Sequence, residues 1–77
     1  MFYVDAKKLT DLIAKAGKSH NDFLVQAGIS RQAFYRLVFN GGPIMISTLK
    51  KVSTALGVSS ASLLDQARTP PGDVDAL

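Results

Sequence analysis

The chain has 77 residues, 47% of them hydrophobic, which bounds it to one domain with a modest core. It has no cysteine and one histidine, His20, which excludes disulfide staples and thiolate metal sites and fits a reducing compartment. The formal charge of +3 is unevenly placed: residues 1–68 hold nine Lys and Arg against four Asp, and residues 69–77 add two Asp and no base. Such a balance suits a polyanionic partner or an ordinary solvated surface.

From Asp5 to Ala16 the residues Ala6, Leu9, Leu12, Ile13 and Ala16 recur at helical spacing, with Lys7, Lys8, Asp11 and Lys15 on the wet side. Asp5 caps this helix and Gly17 ends it, while residues 2–4 either extend it or pack as a short arm. Ser19 caps a second helix, His20 to Ala27, with Asp22 in its first turn and Phe23, Leu24 and Ala27 facing inward. Gly28 supplies a left-handed exit, Ile29 plugs the turn, and Ser30 caps a third helix from Arg31 to about Phe39.

Asn40-Gly41-Gly42-Pro43 then breaks the chain. A fourth helix spans roughly Ser47 to Leu56, with Leu49, Val52, Ala55 and Leu56 as its apolar stripe. Ser59 starts a short fifth helix holding Leu63 and Leu64. From Thr69 onward, Thr-Pro-Pro-Gly-Asp-Val-Asp-Ala-Leu cannot continue a helix. No strand-like alternation of useful length appears, so the expected architecture is all-α: five helices in one compact domain over residues 1–68, followed by a flexible acidic tail over 69–77.

The stretch Ser19 to Leu37 is the most informative. Its two helices meet at Ala27-Gly28-Ile29-Ser30, and the second turns Phe34 and Leu37 inward and Arg31, Gln32, Tyr35 and Arg36 outward. Planar, multi-donor side chains on the free face of a propped helix suit the DNA major groove. On a helix taken in isolation they read as simply solvent-facing polar residues.

Together with Lys8-Leu9, Lys18-Ser19 and Phe34-Tyr35-Arg36, the run from Thr48 to Ser59 and Leu63-Leu64 make the chain resemble the phage-repressor-like (xenobiotic-response-element type) helix-turn-helix DNA-binding family over roughly residues 6–65. The family usually has glutamine where His20 stands and favours alanine where Leu24 stands. The Glu-Asn-Gly that often ends the third helix is replaced by Val38-Phe39-Asn40-Gly41, which makes Phe39 either extra core or an exposed contact.

The resemblance implies that Arg31, Gln32, Ala33, Tyr35 and Arg36 meet base edges. It further implies that Ser19, His20, Ser30, Asn40, Gly41, Ser47, Thr48 and Lys50 hold the phosphate backbone. Plain capping competes for Ser19, Ser30, Ser47 and Ser59, and plain solvation for the lysines. Phe2, Tyr3, Phe39, Ile44, Met45 and Ile46 exceed what so small a core needs, and some are expected at a dimer contact.

The expected function is a sequence-specific, double-stranded-DNA-binding transcriptional regulator, a repressor acting as a homodimer on a near-palindromic operator. The competing expectation is a protein-interaction module, antitoxin-like or anti-repressor-like, on the same fold. No enzyme activity is expected, because no nucleophile stands beside a base and no glycine-rich phosphate loop appears. No cofactor, metal, small-molecule ligand or membrane partner is expected either, and the expected location is cytoplasmic in a bacterial or phage context.

Overall fold

A computed structural model describes residues 1–77. Helix α1 (Ala6–Lys15) begins where Asp5 accepts from the N–H groups of Lys7 at 3.0 Å and Lys8 at 3.3 Å. Helix α2 (His20–Ala27) begins where Ser19 Oγ accepts from Asp22 N–H at 3.1 Å, and it exits through Gly28 at φ 68°. Helix α3 (Arg31–Asn40) begins where Ser30 Oγ accepts from Ala33 N–H at 3.2 Å. In each case a short side chain satisfies one or two of the donors that a helix start leaves open.

Between α3 and α4 (Ile46–Leu56) the chain does more than break. Residues Gly42–Ile44 form strand β2, which pairs antiparallel with strand β1 (Phe2–Val4) in the register Phe2 with Ile44, Tyr3 with Pro43 and Val4 with Gly42. The expectation of no strands is therefore corrected: the fold is a mostly helical domain with a small two-stranded sheet. Each strand has only three residues, too few for alternation to show.

The pairing tolerates Pro43 because its neighbour Tyr3 turns its backbone groups to the other side. Tyr3 N–H donates to Thr69 Oγ1 at 3.1 Å and its carbonyl accepts from Asp65 N–H at 2.8 Å. The missing N–H of proline thus costs the sheet no bond.

Gly41 is the residue this junction requires. Its φ is 66°, and a Cβ there would stand 2.5 Å from the Val4 carbonyl oxygen.

Two further expectations change toward the C-terminus. The fifth helix at Ser59 is a 3-10 turn over Ser60–Leu63, and Ser59 shares its hydroxyl with Ser62 Oγ at 2.8 Å instead of capping. The segment after Arg68 is not a detached tail. Thr69 is 2% exposed and bonded to Tyr3, and Pro71–Asp75 forms helix α5 with Val74 packed on the core. Proline cannot continue a helix but is well suited to the first turn of a new one, which is how Pro71 is used. Arg68 adds its guanidinium 4.7 Å above the Tyr3 ring, and the Met1 amine pairs with Asp73.

The core gathers Val4, Leu9, Ile13, Phe23, Phe34, Leu37, Leu49, Val52, Leu63 and Leu64. α1 packs on α3 and α2 on α4, and the Phe23 and Phe34 rings meet at 5.4 Å. Leu12, Ile29 and Leu56, expected inside, are only half-buried at its margin. Buried Ser53 bonds the Lys50 carbonyl and Ser60 Oγ, each at 3.1 Å, so no buried side-chain polar atom is left without a partner.

Candidate nucleic-acid interface

The core fixes the rotation of α3. Phe34, Leu37 and Val38 are buried, and the helical repeat then turns Gln32 and Arg36 directly outward. Arg31, Gln32 and Arg36 are exposed, while Ala33 and Tyr35 are half-buried at the two edges of the face. The Tyr35 ring lies 5.7 Å from that of Phe34, so its body belongs partly to the core. α3 carries two arginines and no carboxylate.

Neighbouring elements border this face on both sides. On one side, Arg31 Nη2 makes a long 3.5 Å contact with Asn21 Oδ1 in the first turn of α2. His20, exposed, sets its ring edge-on to Phe34 at 5.1 Å. On the other side, Arg36 Nη2 reaches the Pro43 carbonyl at 3.5 Å. Both guanidiniums keep most of their five N–H donors free. A shallow open groove of about 470 Å³ runs along Ser30, Gln32, Ala33 and Arg36. A second, of about 330 Å³, continues from Ala33 and Arg36 to Met45 and Thr48.

The backbone-holding candidates divide. Ser19 and Ser30 are exposed but commit their hydroxyl acceptors to the caps described above. Asn40 is exposed at the end of α3. Gly41 does not offer its amide: it is buried and its N–H donates to the Leu37 carbonyl at 3.0 Å.

Ser47 does not cap α4. That helix starts at Ile46 with Met45 in the cap position, and no side chain bonds its first turn. Beside Arg36, the exposed Ser47 and half-buried Thr48 therefore lie on a helix start whose N–H groups have no side-chain acceptor. Lys50 lines a different groove with Lys51, Gln26 and Thr54, one that shares no residue with the two along α3.

Three further residues gain their places from the fold. Asn21 meets Arg31 across the turn. Lys18 Nζ donates to the Ala55 carbonyl at 2.6 Å and to Gln26, tying the loop before α2 to the end of α4. Phe39 is fully outward, with its ring stacked on Tyr35. Only Phe39 had a signal in the sequence, as an aromatic residue beyond what the core needs. No helix is long and apolar enough to cross a membrane. Comparisons with family models, with curated proteins and with solved structures find no match to this chain, which leaves the face of α3 and its two borders as the grounds for a functional reading.

Proposed function

We propose that this chain is a sequence-specific double-stranded-DNA-binding regulator of transcription, a repressor of the phage-repressor-like helix-turn-helix type that binds a near-palindromic operator as a homodimer. The observation that carries the reading is the face of α3: Gln32 and Arg36 outward, Arg31 and Tyr35 beside them, no carboxylate on the helix, and a helix start on either side.

In this mechanism α3 enters the major groove. Gln32 pairs bidentately with adenine, Arg36 and Arg31 with guanine, and Ala33 touches a thymine methyl. Tyr35 reaches a base edge or a phosphate from the margin. His20, Ser19 and Ser30 meet phosphates on one flank, and Asn40, Ser47 and Thr48 meet them on the other. One α3 reads only a few base pairs, so useful specificity needs two copies about one helical turn apart. Repression then follows from occupying the DNA that the transcription machinery must use.

Selection of bound duplexes from a random pool, followed by a salt titration on the selected duplex, tests this reading. The expected result is a two-fold motif whose log affinity falls with log salt. For a dimer neutralising about six phosphates the slope is about −5. Absence of duplex binding at low salt would overturn it and favour a module that binds a protein through the same fold.

A further inference from the structure

Phe39 is the side chain on the outward face of α3 that the contacts above leave unused. It is 73% exposed, although a ring of that size gains much from burial. By the helical repeat it lies between Gln32 and Tyr35 around the helix and about 10 Å beyond Gln32 along it. Its ring is held in place. It stacks on Tyr35 with centroids 5.7 Å apart and planes 13° from parallel, and Tyr35 in turn lies 5.7 Å from buried Phe34. A ring already ordered this way loses little freedom when something covers it.

The surroundings decide what covers it. Gln32 and Arg36 share the face, and α3 has no carboxylate. A purely apolar protein surface reaching Phe39 would strip water from Arg36 without giving it an acceptor. The major groove instead offers methyl groups beside ring-nitrogen and carbonyl acceptors.

Resting on the reading of α3 as the groove-reading helix, we infer that Phe39, backed by Tyr35, is a further specificity determinant that packs on the C5 methyl of a thymine at the end of each half-site remote from the base that Gln32 reads. Gln32 and Arg36 select by hydrogen bonds, and Phe39 selects by apolar contact.

The test replaces each thymine of the selected half-site, one at a time, by deoxyuridine, which removes only the methyl group. At one position the parent chain loses about fourfold in affinity per half-site. Phe39→Ala binds the thymine and uracil duplexes alike at that position, and it stays folded with a modestly lower Tm, because the exposed ring gives up only its stacking on Tyr35. Two results overturn the inference while leaving the DNA reading standing. In one, no uracil position weakens binding to a duplex whose recognition still depends on Gln32. In the other, every methyl effect persists unchanged in Phe39→Ala. Conversion of a dimer to a monomer by Phe39→Ala, read by sedimentation, also overturns it and makes the ring a contact between copies. Failure of the parent chain to select any duplex overturns both.

Discussion

Replacing Gly41 by alanine tests the junction that places the start of α4 beside α3. Two costs add at this position. The φ of 66° combined with a ψ of −144° is a backbone that glycine alone adopts readily, which costs an alanine about 1–3 kcal/mol. The new methyl would also stand 2.5 Å from the Val4 carbonyl oxygen and 3.3 Å from the Ala6 nitrogen, both backbone atoms with no rotamer to yield. Overpacking of that kind adds about 1–3 kcal/mol, for a total of about 3 kcal/mol.

Gly28 provides the comparison. Its φ of 68° is nearly the same, but its ψ of 34° puts it in the ordinary αL well, and a methyl there meets nothing within 4 Å. Gly28→Ala is therefore expected to show only the milder cost of an αL alanine, about 1–2 kcal/mol, with no clash. In thermal unfolding followed by circular dichroism, Gly28→Ala should lower Tm by about 10 °C and Gly41→Ala by about 20 °C. Equal losses would refute the reasoning, because they would mean that β1 is not seated against the turn that leads to α4.

Gln32→Ala should change unfolding stability by less than about 0.5 kcal/mol, since the residue is exposed, but should cost about 1–3 kcal/mol of base discrimination per half-site in duplex binding. A large fall in Tm would show that α3 is rotated differently. Thr69→Val keeps the shape of a buried side chain while leaving Tyr3 N–H without its 3.1 Å acceptor, and should cost about 1–3 kcal/mol in urea unfolding. No change would return residues 69–77 to the status of a detached tail.

What was legible along the chain was whatever depends on neighbours a few residues away. Asp5, Ser19 and Ser30 cap the helices they precede, because a cap needs only a short acceptor and two or three residues of correct backbone. The outward set on α3 follows from periodicity once Phe34 and Leu37 are assigned inward. Where local signals misled, a distant partner had the deciding say. Ser47 is a good capping residue, but the antiparallel pairing of β2 with β1 brings the chain into α4 at Met45, before the serine is reached. Gly41 looks like a donor in a loop, and the close approach of Val4 makes it a buried spacer. Thr69 precedes two prolines and looks like the beginning of a tail, until Tyr3 supplies an N–H that needs an acceptor.

The sequence by itself therefore determined four helices, the starts of the first three and the polar face of α3, because caps and the helical repeat act over one or two turns. Only the tertiary structure decided the three-residue strands, the entry into α4, the seat of the C-terminal segment and the exposure of Phe39. Those features arise from pairings between residues about forty or more apart, such as Val4 with Gly42 and Tyr3 with Thr69, and from the rotation of α3 that the burial of Phe34, Leu37 and Val38 fixes. A three-residue strand leaves no periodic mark, and an aromatic residue near the end of a helix looks, along the chain, the same whether it is covered or exposed.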